Sequence, residues 1–209
     1  EFLSSMPNIT ILSPRDRIEL KKMMKYASTA NSPVAIRIPK GFAPENILQK
    51  EKTGLVSDFS NKSFDSENES EIWTNYQPVP EVLREGTSGV ILAEGATIGP
   101  ALEISEILAK EKIELEIIDI KAIKPINQKY LDEWQKRWNN FVIFENGDVY
   151  NGFGAHISSI ISQKRVKIVG WPDKFIKNGT LEILKEKNGL STDFLAKSIA
   201  DFIHNSFLP

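Results

Sequence analysis

Cysteine is absent from this 209-residue sequence, and histidine occurs only twice. Without thiols there is no disulfide framework and no thiolate metal site, which fits a cytoplasmic protein. His156 and His204 have no neighbouring Cys or second His to complete a ligand set, so both read as structural or solvated side chains. A dominant charge of one sign is also lacking, since 26 Lys and Arg stand against 28 Asp and Glu, for a formal charge of -2. That balance gives no long-range field to hold nucleic acid or an anionic membrane, and neither is expected as a partner. No apolar run approaches the roughly 18 residues a spanning helix needs, and the start of the chain shows no signal-peptide pattern. There is no Gly-x-Ser-x-Gly elbow and no Walker sequence, so serine nucleophile and P-loop chemistry have no support.

What is present is an ordinary globular composition, 41% hydrophobic, organised as alternating strands and helices. The most informative stretch is residues 141–161. Phe141-Val142-Ile143-Phe144 is an unbroken apolar run of the kind covered on both faces of a sheet. The character turns polar within one residue at Glu145-Asn146-Gly147-Asp148, and Gly152-Phe153-Gly154 then leads into a helical pattern of Ala155, Ile157, Ile160 and Ile161. Strand, polar edge, glycine turn and helix make up the βα unit of an open parallel sheet, which collects its functional groups at strand carboxyl ends.

The same alternation sets the expected organisation. Ile9-Thr10-Ile11-Leu12 reads as a strand, Ser13-Pro14 as the cap and first residue of a helix reaching about Thr29, and Val34 to Gly41 as a second buried strand that finishes in Arg37, a proline, Lys40 and a glycine. A lone β-α-β unit cannot bury both faces of its sheet, so residues 1–41 are expected to close a larger domain. Residues 42–86 read as a linker with a polar insertion at about 46–75. Its Ser-, Asn-, Asp- and Glu-rich core cannot repay its ordering entropy by burial. Residues 87–209 read as a doubly wound α/β domain. Within it are a strand at Gly89 to Ala93, a helix from about Ile98 to Lys110, a strand ending at Ile120, a loop over residues 121–126, and a helix capped by Asn127. A strand at Val166 to Gly170, a short helix from Thr180 stopped by Gly189, and a last helix capped by Ser191 complete it.

Three features can carry chemistry. The glycine pair fails as a dinucleotide fingerprint, because its third position is Ile157 and no acid follows about 20 residues on at a strand end, so it reads as backbone geometry. Glu145, directly after a buried strand, reads as a structural or interface carboxylate. Arg37 stands at a strand end beside Pro39 and Lys40. Its planar guanidinium either takes a phosphate in bidentate fashion or forms an ordinary surface ion pair.

Taken in order, these signals resemble the C-terminal portion of the 1-deoxy-D-xylulose-5-phosphate synthase family, transketolase-like thiamine-diphosphate enzymes. Met6-Pro7-Asn8 with Ser13-Pro14-Arg15-Asp16 is similar to the segment before the last helix of the family's pyrimidine-binding domain. Arg37-Ile38-Pro39-Lys40-Gly41 resembles its Arg-Tyr-Pro-Arg-Gly, and residues 119–125 resemble its Asp-x-Arg-Phe-x-Lys-Pro. Glu145-Asn146 with Gly152-Phe153-Gly154 stands where the family has Glu-Glu-Asn and Gly-Gly-x-Gly. Trp171 to Ile176, Gly179-Thr180 and Gly189-Leu190-Ser191 match its closing series. Ile38 and Lys40 replace a tyrosine and an arginine, and Val79-Pro80-Glu81 replaces a Gly-Lys-Gly.

The resemblance implies a transketolase-like C-terminal domain at 87–209, preceded by the last β-α-β unit of a pyrimidine-binding domain. It implies a homodimeric carboligase that joins pyruvate to glyceraldehyde 3-phosphate with loss of carbon dioxide, feeding isoprenoid, thiamine and pyridoxal synthesis. Arg37 would contact the acceptor phosphate. Thiamine diphosphate, Mg2+ and the catalytic groups would be held by segments upstream, leaving this chain without catalytic or metal residues and inactive alone. The competing expectations are a 2-oxo-acid dehydrogenase β subunit or split transketolase half, and a non-catalytic α/β interaction module.

Overall fold

The computed structural model describes residues 2–39, 44, 46–49, 76–161 and 163–205. Lys40 and the polar core of the insertion, including Ser57 to Glu71, lie outside the described residues.

The first sheet begins with the β-α-β unit. Strand β1 (Thr10–Leu12), helix α1 (Arg17–Thr29) and strand β2 (Val34–Ile36) follow in order, with Thr10, Ile11 and Leu12 paired in parallel to Val34, Ala35 and Ile36. The helix starts later than Ser13-Pro14 suggests. Asp16 is the N-cap, and its carboxylate accepts the Glu19 amide at 2.8 Å. A carboxylate satisfies an orphan N–H of the first turn and opposes the helix dipole, which a serine already engaged elsewhere does not.

Strands β3 (Glu81–Arg84), β4 (Gly89–Ala93), β5 (Leu115–Asp119), β6 (Ala122–Lys124), β7 (Asn140–Asp148) and β8 (Arg165–Trp171) come next, and all but β6 form one sheet. One departure from expectation stands out. The expected loop over 121–126 contains β6, which pairs antiparallel with β1 and completes the first sheet in the order β2-β1-β6. The other edge of β1 would otherwise present unpaired N–H and C=O groups. Strand β3, at the end of the expected linker, is an antiparallel edge strand on β5.

The second sheet has the order β3-β5-β4-β7-β8, parallel except for β3. Every residue of β4 and β5 is buried. Period-two alternation sends their side chains to two cores. Ile91, Ala93, Ile117, Val142 and Phe144 pack with helices α2 (Ile98–Lys110) and α6 (Thr192–His204), through Leu102, Ile104, Leu195 and Ile199. On the other face Val90, Leu92, Ile118, Phe141 and Ile143 pack with α3 (Gln128–Arg137) and α4 (Phe153–Ile160), through Leu131, Trp134 and Ile157. Helix α5 (Leu181–Lys187) follows a Thr180 cap, and Gly189 closes its exit at φ +70. Ser191 occupies the N-cap of α6 without a side-chain cap bond. No helix among the described residues is long and apolar enough to cross a membrane.

This is a doubly wound α/β arrangement, and its winding has a direction. From β4 the chain crosses to β5 on one side, then passes back over β4 to reach β7 on the other. The crevice between the carboxyl ends of β4 and β7 is therefore the topological switch point, where open α/β sheets gather ligands.

Candidate functional site

Three carboxylates stand at the carboxyl ends of adjacent strands in that sheet: Asp119 ends β5, Glu94 follows β4, and Glu145 follows the apolar run of β7. The first sheet delivers two arginines to them. Arg37 leaves β2 with its amide still bonded to the Leu12 carbonyl at 2.8 Å, and Arg15 comes from the turn before α1.

At the switch point, Nη1 of Arg37 lies 3.1 Å from Oε1 of Glu94 and 3.6 Å from Oε1 of Glu145. Both acids are buried and held from several directions. The Ser13 hydroxyl donates to Glu94 Oε2, and the Asn146 amide donates to Oε1 at 3.3 Å. Glu145 accepts the Gly147 amide at 2.8 Å and the Gly154 amide at 3.2 Å. The glycines are explained by this packing. A Cβ on Gly152 would collide with the Glu145 carboxylate, and Gly95, at φ +48, would carry a Cβ into the Ser13 hydroxyl. Burial lifts the Glu94 carboxyl to about 7 against the pull of Arg37 and Ser13, and Glu145 adds to the lift.

The Arg37 side chain remains 35% exposed and borders a cavity of about 360 Å3 that also touches Glu145, Gly147, Gly152, Phe153 and Phe2. In both ion pairs the close contact is made by Nη1. A part-exposed guanidinium beside a cavity can take two oxygens of a planar or tetrahedral anion.

Arg15 is placed differently. Its Nη1 is 2.8 Å from Glu81, 2.8 Å from Asp119 and 3.4 Å from Glu19, and its side chain is 9% exposed. Lys121 closes the same cluster at 2.6 Å from Glu81 and 3.5 Å from Glu19, and the Tyr76 hydroxyl donates to Glu19 at 2.6 Å. Burial raises Asp119 to about 6 despite Arg15, and the neighbouring carboxylates raise Arg15 itself against the opposing effect of burial. Burial also pushes Glu81 upward, but Arg15 and Lys121 outweigh it and bring that group down to about 2.

Glu19, Glu81 and Asp119 are the one set of His, Cys, Asp or Glu side chains at metal-ligand spacing among the described residues. Arg15 and Lys121 occupy their oxygens, so the trio does not fit a Mg2+ ion, whose ligands must be free to meet it in octahedral geometry. His156 and His204 are both exposed and take no part in that set. Sequence reasoning picked out Arg37 and Glu145 but passed over Glu94 and Arg15. Glu94 carries the same signal as Glu145, an acid directly after a fully buried strand.

Comparison with known proteins defines the class. The profile of the transketolase C-terminal domain family matches residues 80–194, and the chain belongs to that family. Solved structures agree on the fold. An inactive β4 tetramer of a split-gene transketolase superposes with a TM-score of 0.72 at 24% identity, covering 96% of this chain and 59% of that one. Transketolase from Campylobacter jejuni superposes at 0.67 with 17% identity, covering 96% and 27%.

Among curated proteins the similarity is to 1-deoxy-D-xylulose-5-phosphate synthases, as their C-terminal portion. The enzyme of Syntrophotalea carbinolica is 30% identical over 210 residues, 98% of this chain and 30% of that protein. That of Desulforudis audaxviator is 27% identical over 204 residues, 94% and 29% respectively. The chain thus spans about 30% of the length of these relatives.

Proposed function

We propose that this chain serves the acceptor end of a 1-deoxy-D-xylulose-5-phosphate synthase, with the guanidinium of Arg37 receiving the phosphate of glyceraldehyde 3-phosphate. The observation that carries the reading is the placement of that guanidinium, paired with Glu94 and Glu145 yet 35% exposed beside a cavity at the sheet's switch point. The full reaction condenses pyruvate with the aldehyde and releases carbon dioxide. Thiamine diphosphate with Mg2+ supplies the carbanion chemistry in enzymes of this kind, and no step through it is assigned to the described residues. A cytoplasmic homodimer, and inactivity of these residues on their own, belong to the same reading.

What this chain contributes is binding and orientation. A charge-assisted bidentate contact fixes the far end of the acceptor, so that its carbonyl is presented in a repeatable position. Phe153 and Phe2 give the cavity apolar walls, which strengthen the contact by limiting water.

The test compares Arg37→Lys with the unaltered enzyme in the full-length protein, supplied with thiamine diphosphate and Mg2+. Lysine can still pair with the two glutamates as a point charge but has no second edge. Product formation from pyruvate and glyceraldehyde 3-phosphate should lose about 2 to 4 kcal/mol in kcat/KM for the acceptor. Unphosphorylated glyceraldehyde should be used equally by both. An equal loss with both acceptors would reject the phosphate assignment.

A split transketolase half is the second reading, favoured by the superposition on the split-gene protein. Turnover of ketose donors in place of pyruvate would select it.

A further inference from the structure

The group at the switch point has an unbalanced charge. One guanidinium nitrogen is shared by two carboxylates, within 3.6 Å of both, and the side chains of Glu94 and Glu145 are 0% and 2% exposed. Arg37, from the end of β2, and Glu145, from β7, are the charged groups that face Glu94. Ser13, beyond β1, and the Asn146 amide complete its surroundings. With both acids ionised the trio carries one net negative charge, buried beside the place where an anion would have to sit. Repulsion in such a poorly screened setting costs far more than it would in water. The simplest relief is a proton on the deeper carboxyl.

The hydrogen bonding is built to accept that proton on one particular oxygen. Oε1 of Glu94 accepts from Arg37 and the Asn146 amide, both fixed donors. Oε2 accepts from the Ser13 hydroxyl, and a hydroxyl can reverse from donor to acceptor without moving its oxygen. A proton on Oε2 therefore breaks none of these contacts. Gly95, at φ +48, leaves room for the Ser13 side chain to hold that position.

We propose that Glu94 is a positioning residue that couples anion capture at Arg37 to the uptake of one proton on its Oε2, donated to Ser13. This rests on the phosphate-binding reading of Arg37. Burial already lifts the Glu94 carboxyl to about 7, so the coupling operates around neutral pH. The protonated carboxyl still accepts from Arg37 through Oε1, so the guanidinium keeps its aim while the negative charge beneath it falls.

The experiment uses sulfate on the full-length protein, because its charge is constant across the relevant range whereas a phosphate ester titrates near it. Calorimetric titrations at constant ionic strength are run from pH 6 to 9 in two buffers of different ionisation heat. The dissociation constant should rise on the order of tenfold between pH 6.5 and 8.5, with about one proton taken up per sulfate near pH 8. Glu94→Gln should bind sulfate with no such slope and no proton uptake, while Glu145→Gln should retain the slope.

A pH-independent affinity, or a slope that survives in Glu94→Gln, would overturn the coupling while leaving Arg37 as the anion site. No sulfate binding, or equal binding by Arg37→Lys, would remove the phosphate reading itself and the coupling with it. Should Glu94→Gln not fold, the proton count of the unaltered protein decides alone, one supporting and zero refuting.

Discussion

Arg15 and Arg37 make an instructive pair. Both come from the first sheet, both meet acids at the carboxyl ends of the second, and their outcomes are opposite. Arg15 is enclosed by Glu81, Asp119 and Glu19, with Lys121 and Tyr76 sealing the edges. Arg37, also through Nη1, meets two acids and keeps its side chain 35% exposed. A buried arginine ringed by protein acids is a clamp between sheets, and a part-exposed one beside a cavity is a receptor. Residue type and use of Nη1 are shared, so the number of carboxylates converging on each side chain and the depth of its burial make the difference.

The sharpest way to break the comparison is to exchange the losses. Arg15→Met should cost about 3 to 5 kcal/mol of stability in urea titrations, since it strands the fully buried Asp119 charge. Arg37→Lys should cost no more than about 1 kcal/mol, because the pair it alters is partly solvated. Equal losses at the two sites would dissolve the distinction between clamp and receptor.

A smaller effect is expected at Gly152→Ala. The added methyl would meet the Glu145 carboxylate, which must shift away from Arg37. Overpacking of this kind costs about 1 to 3 kcal/mol, and acceptor use should fall with it. Retained stability and retained acceptor affinity together would show that Glu145 does not need its observed position.

The pH dependence of stability refines the picture of the clamp. Glu81 is held at about 2, below its ordinary 4.5, so its contribution is present above 4.5 and is lost as pH falls toward 2. Asp119 is raised to about 6 from an ordinary 3.8, so the folded state binds its proton more tightly and stability increases as pH falls through 6. Glu94, at about 7, acts in the same direction. Urea midpoints should therefore peak near about pH 4 and decline toward pH 8. A monotonic rise from pH 4 to 8 would contradict the burial of Asp119. Smallest of all, His156→Ala and His204→Ala should each move stability by no more than about 0.5 kcal/mol, as both side chains are exposed.

Much of this was readable before any coordinates. The apolar runs at 89–93 and 141–144 are strands, the helix over 98–110 lies where its periodicity puts it, and Asn127 caps α3 through its side chain. These features are local, and local chemistry leaves a mark in the sequence. The failures are all long-range. Ala122–Lys124 is too short to show a strand period, and it becomes β6 only because β1 offers an unpaired edge. Ser13 looks like a cap until Glu94, 81 residues away, takes its hydroxyl. Glu94 itself was legible by the pattern that revealed Glu145. Arg15 was not, because its partners come from three elements spread over 104 residues.

The pairing of β6 with β1 also bears on how relatives of this chain can be recombined. Chimaeras that take Thr10–Leu12 from one parent and Ala122–Lys124 from another would have to rebuild a seam between backbones that never evolved together. Crossovers that inherit both segments from the same parent keep the seam whole, wherever else the breakpoints fall.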